Sequence, residues 1–401
     1  MTSLIDKGKR IGEMRLNGPV IYEIAFSFYF VIAFFQTSTY TDYFPGNFLH
    51  ELSFIPLIMV LFKIFILDYD TKSRLIVNLA VLALLVLTWR ASGSYLIFPM
   101  GIFILGAKNV DFRRLMYLYL ILGTILLAFV FFSSLLGLTK NLVYHRGVDT
   151  VRRSFGIIYP TDFAAHVLYL VLAYCYLYFK KVGWRSYLVF CLLAYGLNKY
   201  CDARLSAYAL IILIPVIFIG QKASQGNRLC QFIASFYWTL PALSAYIMLL
   251  MTYLYSPQRA LLERVNNVLS GRLFFGHEAL MKYPFKWIGQ RIVEHGFGGN
   301  SGHMIATGDN SSYFFVDSAF VRTFIIYGII VLLLVVIMMT VISWQSIATH
   351  DFALASILVI VTISAVVEQR LLDFGYDPFL LATFAQCYLI HKKGKLTEVK
   401  N

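Results

Sequence analysis

The chain has 401 residues, of which 59% are hydrophobic and only 14% are charged, and its formal net charge is +13. Because a soluble domain is typically about 25% charged, this composition excludes a soluble multi-domain enzyme, a disordered protein and a disulfide-stapled secreted domain. It indicates a polytopic membrane protein, in which each transmembrane helix takes up about 20 mostly apolar residues.

Apolar runs bounded by charged residues, glycine or proline predict twelve transmembrane helices. They lie at about 19–36, 49–67, 74–89, 93–107, 113–137, 161–180, 185–201, 204–220, 230–255, 317–343, 352–368 and 374–391. Each run must be helical in lipid, since unpaired backbone groups are too costly there. The expected fold is therefore all-α, with residues 1–401 forming a single integral membrane domain and no cleavable signal peptide.

Lysine and arginine residues predict which loops face the cytoplasm. They precede the first span, recur in alternate loops near 72–74, 108–114, 180–185 and 222–228, and end in a basic C-terminal tail. With twelve spans these loops all lie on one side, so both termini are expected in the cytoplasm. The opposite side then carries a loop at 138–160 and a large loop at 256–316, between spans 9 and 10. A loop as long as the second one is more often functional than idle in a compact protein.

The external side is expected to be poor in lysine and arginine, but it carries many. The residues of interest are Arg146, Arg152 and Arg153 in the first loop, Lys199 and Arg204 between spans 7 and 8, Arg272 and Arg291 in the large loop, and Arg322 just inside span 10. Arginine binds phosphate oxygens with a planar, two-pronged fork, so the set predicts an anionic ligand at the outer face. For any single arginine, a lipid headgroup or a nearby acid is the alternative partner. A nucleic-acid ligand is not expected, because the cluster faces outward and the chain has no nucleic-acid-binding module.

Further side chains are candidates for the chemistry of this face. Asp317 stands at the external start of span 10, where a carboxylate can act as a general base or cap the helix. Arg322 lies about one turn further on and either pairs with Asp317 or lines the site. His303 ends a glycine-rich stretch that begins at His295 and is either a mobile lid or a plain solvated loop. The histidine spacing in this loop fits no standard ligand pattern, so no metal ion is expected.

Three short stretches carry a family resemblance. The first is RRSFGIIYPT from Arg152 to Thr161, the second is DARLS from Asp202 to Ser206, and the third joins SGR at 270–272 and KYP at 282–284 to FVDSA at 315–319. Taken with the span number and the late large loop, they resemble the Wzy-type polysaccharide polymerases. These include the O-antigen and capsule polymerases and share a superfamily with the O-antigen ligases. The family is similar to the GT-C glycosyltransferases, so the resemblance implies a GT-C-like fold.

The resemblance implies a reaction at the outer face of the bacterial cytoplasmic membrane. The growing glycan would leave its undecaprenyl diphosphate carrier and join a sugar hydroxyl of an incoming lipid-linked unit. Undecaprenyl diphosphate-linked oligosaccharide is then both donor and acceptor, the lipid bilayer is the setting, and no cofactor or metal ion is needed. A chain-length regulator and a flippase are the protein partners that the family implies.

The family's arginine positions match Arg153, Arg204 and Arg272 best, and Asp317 stands where a ligase is expected to have histidine. The implied catalytic residues are Asp317, Arg153 and Arg272, and the implied diphosphate or substrate contacts are Arg204, Arg146, Arg152, Lys199, Arg291, Arg322 and His303. Two other functions stay open. An O-antigen-type ligase would share the fold but use another acceptor. A lipid-linked oligosaccharide flippase or transporter would show internal repeats and polar residues near the membrane midplane.

Overall fold

The computed structural model describes residues 17–146, 150–307 and 313–387, and this part of the chain is mainly helical. Its first helices are α1 Gly18–Gln36, α2 Gly46–Phe62, α3 Lys72–Ser92, α4 Ile97–Gly106, α5 Phe112–Leu135, α6 Pro160–Leu177, α7 Trp184–Cys201 and α8 Arg204–Ser224. Its later helices are α9 Arg228–Ala234, α10 Leu240–Leu254, α11 Ala260–Val268, α12 Arg272–Lys282, α13 Gly299–Thr307, α14 Ala319–Arg322, α15 Ile329–Ala348 and α16 Ala353–Val367. A hairpin of β1 Val143–Arg146 and β2 Thr150–Arg153 lies between α5 and α6.

Within the described residues, seven helical segments are long and apolar enough to cross a membrane. They are Gly18–Gln36, Gly46–Leu67, Lys72–Ser92, Phe112–Leu135, Arg204–Ser224, Arg228–Leu254 and Ile329–Ala348. Each overlaps a predicted span, and the shorter apolar helices α4 and α16 overlap two more. The helices therefore indicate a membrane protein of the all-α type, while the full number of twelve spans stays a prediction.

The loops separate into two groups, as an alternating series of spans requires. At one end, Lys63 donates hydrogen bonds to the carbonyl oxygens of Gly106 and Lys108, both at 2.8 Å. At the other end, the Thr39 N–H donates to the Gly156 carbonyl oxygen at 2.8 Å. We call this second end the loop end. It is formed by residues 37–45, 138–146, 150–160, 199–203, 256–307 and 313–318.

Predicted span 10, at 317–343, is not one continuous helix. It begins as α14, runs through a π-helical turn at Thr323–Tyr327 and breaks at Gly328 before α15 starts. Gly328 has a φ of 87°, and a Cβ there would clash with the Trp287 carbonyl oxygen of the large loop. The loop backbone thus packs into the break, and only glycine permits this approach.

Replacing Gly328 with alanine should therefore destabilise the protein strongly. The new Cβ would meet backbone atoms, and the left-handed φ adds strain of about 1–3 kcal/mol. The matched control is Gly196→Ala in α7, where nothing lies within 4 Å of the added Cβ. The midpoint of thermal unfolding in detergent should fall in the first variant and stay near the wild-type value in the second. Equal midpoints would mean that the break does not depend on Gly328.

Residues 374–387 of the predicted twelfth span, 374–391, do not form the expected α-helix, and the rest of that span lies outside the described part of the chain. After α16 the chain returns through two short 3₁₀ turns, Arg370–Leu372 and Phe379–Thr383. It reaches the end opposite the loop end, where the first N–H of α5 donates to the Gln386 carbonyl oxygen at 3.1 Å. The segment therefore crosses the bundle without forming an α-helix.

Local hydrogen bonds explain why this segment is not helical. The Asp373 carboxylate accepts the backbone N–H two residues ahead at 3.0 Å, and the Asp377 carboxylate does the same at 2.8 Å. Such bonds compete with the helical ones, and Pro378 has no N–H to contribute. Non-helical backbone is tolerated at membrane depth where protein surrounds it, and residues 374–382 are all buried.

Candidate functional site

The β1–β2 hairpin at the loop end separates two neighbouring arginines. Its register pairs Tyr144 with Arg152 and Val143 with Arg153, and successive side chains of a strand point to opposite faces. Arg152 and Tyr144 lie on the buried face, where Arg152 is only 3% exposed, whereas Arg153 is exposed on the other face. The resemblance favours Arg153, but the hairpin directs Arg152 into the protein.

Neutral groups hold the buried Arg152 side chain. Its Nε donates to the Cys201 carbonyl oxygen at 3.1 Å, and its Nη1 donates to the Tyr159 hydroxyl at 3.0 Å. Its Nη2 is buried and has no hydrogen-bond partner among the described residues, and no carboxylate there forms an ion pair with it. Since a buried charge normally requires a partner, Arg152 is suited to bind an anion.

Arg146 and Arg204 share a single acid beside Arg152. Asp202 follows the last residue of α7 with a φ of 46° and accepts hydrogen bonds from Arg146 Nη1 at 2.7 Å and Arg204 Nε at 2.9 Å. Burial and the neighbouring Arg152 lower the pKa of Arg146. We call Arg146, Arg152, Arg204 and Asp202 the basic cluster. Its cations outnumber its acid, as a phosphate-binding site requires.

A second cluster forms around Arg272, the first residue of α12. Arg272 Nη2 lies 3.5 Å from Asp317 Oδ2, while Nε and Nη1 donate to the carbonyl oxygens of Val367 and Ser270 at 3.0 and 3.2 Å. The Tyr313 hydroxyl donates a long hydrogen bond, of 3.5 Å, to the same Asp317 oxygen. Burial opposes the charge of Arg272, but the neighbouring carboxylates raise its pKa above the usual value. Asp317 is thus held between a cation and a hydroxyl.

Asp317 does not cap a helix, because α14 begins at Ala319 with Ser318 as its N-cap residue. Its carboxylate is 22% exposed and faces Arg272 instead. Glu368, the first residue after α16, interacts electrostatically with both of these residues and is only 6% exposed. Burial raises the pKa of Glu368 to about 7, although Arg272 works in the opposite direction. We call Arg272, Tyr313, Asp317 and Glu368 the carboxylate cluster.

Tyr159 borders both clusters. Its ring packs against Tyr144 with 4.8 Å between the ring centroids, and the Arg152 guanidinium lies 5.1 Å from its centroid. Tyr159 also interacts electrostatically with Arg272 and Tyr313. The basic cluster and the carboxylate cluster are therefore neighbours at the loop end, although they come from distant parts of the sequence.

Sequence reasoning missed Glu368 and a buried ion pair next to it. Arg370 pairs with Asp162 in the first turn of α6, lies 3.9 Å from Asp373 and covers the ring of Tyr376 at 4.5 Å. Glu368 interacts electrostatically with both members of the pair. The available signal was the charge itself, since an ionisable residue at the end of an apolar run or inside it marks a candidate site.

Replacing Arg370 with methionine should lower the free energy of unfolding by about 3–5 kcal/mol, because Asp162 would stay buried without its cation. The double variant Arg370→Met, Asp162→Asn should recover part of this loss. Arg228→Met, at an exposed arginine, is the control. Thermal unfolding of all three in detergent checks the prediction. A single variant as stable as the control would mean that the ion pair contributes nothing to the fold.

The predicted pairing of Arg322 with Asp317 is wrong. Arg322 Nη1 lies 2.6 Å from Glu294 Oε1, and the guanidinium covers the Phe315 ring at 4.8 Å from its centroid. Glu294 also accepts the Val316 N–H at 3.0 Å. The physical reason is that the Asp317 carboxylate faces Arg272. Arg322 instead connects α14 to the large loop through Glu294.

Three further predicted contacts lie at the loop end but outside the two clusters. His303 Nε2 donates to the Val143 carbonyl oxygen at 2.8 Å, and so ties α13 to β1. The Arg291 side chain packs against Gly93, and Lys199 is exposed at the end of α7. Each is near the hairpin or the large loop, and their roles as substrate contacts stay predictions.

Two cavities in the described part of the chain lie outside the two clusters. A cavity of about 860 Å³ lies at the end opposite the loop end, where Arg113, Lys180 and Gln386 line it. A smaller one of about 520 Å³ lies at the loop end between Tyr255 and Met281. Among the described residues, no group of three or more histidine, cysteine, aspartate or glutamate side chains could hold a metal ion.

Comparisons with protein-family models, with curated proteins and with solved structures gave no match for this chain. Its function therefore has to be argued from its own residues and their contacts.

Proposed function

We propose that this chain polymerises undecaprenyl diphosphate-linked oligosaccharide units at the outer face of the bacterial cytoplasmic membrane, with the loop end outside. It would act as a metal-independent glycosyltransferase of GT-C-like fold. The observation that carries the proposal is that Tyr159 contacts Arg152 of the basic cluster and interacts electrostatically with Arg272 of the carboxylate cluster. The first suits a diphosphate leaving group, and the second suits a sugar hydroxyl that must lose a proton.

The basic cluster would bind the donor diphosphate. Arg152 is its main contact in this proposal, because its Nη2 is buried and has no hydrogen-bond partner among the described residues. Arg146 and Arg204 are each about half exposed and add positive charge beside it. Fixed cations of this kind stabilise the negative charge that develops on a leaving diphosphate.

The carboxylate cluster would activate the acceptor. The bond between the anomeric carbon and the diphosphate oxygen breaks, and the diphosphate leaves with its electron pair. A bond from the anomeric carbon to the acceptor oxygen forms, and the hydroxyl proton passes to a carboxylate. In this proposal Asp317 orients the hydroxyl and Glu368 takes the proton, because a base works best with a pKa near the working pH.

Arg272 would act as a positioning residue. All three of its nitrogens already have partners, two carbonyl oxygens and Asp317, so little of the guanidinium is left for a diphosphate. Its position next to both carboxylates keeps Asp317 oriented and favours the ionised form of Glu368. The resemblance assigns this arginine to catalysis, and the proposal assigns it to the acceptor side of the site.

A flippase or transporter of lipid-linked oligosaccharide is the second candidate. The observation that favours it is the non-helical segment after α16, whose buried Arg370 forms an ion pair with Asp162 of α6. Broken helices and buried charges are common at transport sites. Against it, the unpaired Arg152 and the long loop are concentrated at one end rather than at the midplane.

Reconstitution separates the two candidates. Purified protein in proteoliposomes would receive the undecaprenyl diphosphate-linked repeat unit in the presence of EDTA, and products would be resolved by size. A ladder of longer glycans is the expected result. If the unit stays single but becomes accessible in the opposite leaflet, transport is the function. If it stays single and does not move, yet is transferred to an added lipid acceptor, the protein is a ligase.

A further inference from the structure

The segment after α10 exposes more apolar surface than a loop in water normally would. Six large apolar side chains between residues 256 and 287 are between 44% and 74% exposed: Leu261, Val268, Phe274, Met281, Phe285 and Trp287. Contiguous apolar surface of this kind marks an interaction site.

The helix α11 uses its polar groups for contacts within the protein. Glu263 accepts a hydrogen bond from the Tyr255 hydroxyl at 2.7 Å, and Asn266 Oδ1 accepts the Phe274 N–H at 3.0 Å. Leu261 and Val268 are left on the opposite side, and each is 74% exposed. The apolar side chains on this outward face are therefore not required to build the loop.

The segment continues directly from an apolar helix that is long enough, with α9, to cross a membrane. Arg259 donates to the Leu254 carbonyl oxygen at 3.1 Å and so closes the end of α10. The cavity of about 520 Å³ joins Tyr255 at this helix end to Phe274 and Met281 on α12. The exposed apolar surface is thus continuous with the lipid-facing helix.

Most of the exposed charged residues on this surface are also positive. The exposed cations of the segment are Arg259, Arg264, Lys282 and Lys286, while Glu278 is its exposed acid. Amphipathic segments with basic and aromatic residues bind the interface of a membrane that contains anionic lipid. Trp287 next to Lys286 is the pairing typical of that interface.

We propose that residues 256–287 lie in the headgroup region of the leaflet at the loop end and bind anionic phospholipid there. This goes beyond the proposed reaction and does not depend on it. This binding would fix the position of Arg272, because Arg272 begins α12, the helix that follows Leu261 and Val268 of α11. Membrane contact on both sides of it would hold the carboxylate cluster at the level of the lipid headgroups.

Photo-crosslinking to lipid tests this proposal with the full-length protein in vesicles. A benzophenone side chain would replace Leu261 or Val268, with Asn267 on the same helix as the matched control, because it is also exposed but lies about 100° away around the helix axis. Phospholipid adducts would be counted by mass spectrometry. The expected yield at the first two positions is about threefold or more that at the control. Equal yields at all three positions would overturn the proposal.

The lipid preference has its own test. Vesicles of phosphatidylcholine alone and vesicles that also contain phosphatidylglycerol would be compared for the Val268 crosslinker. The adduct yield should be several-fold higher with phosphatidylglycerol, and Arg259→Gln with Arg264→Gln should remove that difference. An adduct yield that depends on neither the lipid charge nor the two arginines would overturn the claim of anionic lipid binding.

Discussion

Replacing Arg152 with lysine should abolish polymerisation. The guanidinium spans the Cys201 carbonyl oxygen and the Tyr159 hydroxyl and keeps Nη2 free. Lysine is a single point charge and cannot hold these partners and grip a phosphate at the same time. Loss of a contact that stabilises developing charge typically costs about 100- to 1,000-fold in rate. The measurement is the initial rate of ladder formation by reconstituted protein.

The matched control is Arg153→Lys, one residue along the same strand. Arg153 lies on the exposed face of the hairpin, so this variant should keep most of the wild-type rate. Thermal unfolding of both variants separates a lost contact from a lost fold. The opposite pattern, with Arg153→Lys inactive and Arg152→Lys active, would reject the basic cluster and restore the assignment that the resemblance favours.

The choice between these two arginines shows what the sequence could not provide. Cations placed against the positive-inside rule predict a larger set of external residues, and in the structure Arg146, Arg152 and Arg204 of that set lie beside one another. Which of Arg152 and Arg153 turns inward depends on the strand register, because a shift of one residue reverses the face. Neither the composition nor a sequence motif shows which residues of the two strands pair with each other.

The apolar spans were easier to predict than the end of the chain. Runs such as those of α1, α5 and α8 are long, apolar and bounded by loops, so hydropathy located them. The segment after α16 has the same composition, but the turns at Asp373 and Asp377 replace helical hydrogen bonds. Mean hydropathy does not account for this competition between side-chain and helical hydrogen bonds. For the same reason, hydropathy places Glu368 at the end of a predicted span and gives no sign of its neighbours Arg272 and Asp317.

Converting Glu368 to glutamine should lower the polymerisation rate by about 100- to 10,000-fold, the range typical of a lost general base. The wild-type rate should also fall as the pH decreases through about 7, because the protonated carboxyl cannot accept the hydroxyl proton. Around Glu368, the cations Arg272 and Arg370 favour its ionised form, whereas Asp317 and Asp162 oppose it. We call this fall in rate at low pH the acid limb. The remaining activity of the Glu368→Gln variant should not show it.

A second variant tests the division of roles between the two carboxylates. Asp317→Asn removes a negative neighbour that raises the pKa of Glu368, so the acid limb should move to lower pH while part of the rate survives. Glu278→Gln, at an exposed acid on α12, should change neither the rate nor the pH profile. If Asp317→Asn is inactive at every pH and Glu368→Gln keeps the wild-type profile, then Asp317 is the base, and Glu368 only contributes to the charge balance around Arg272.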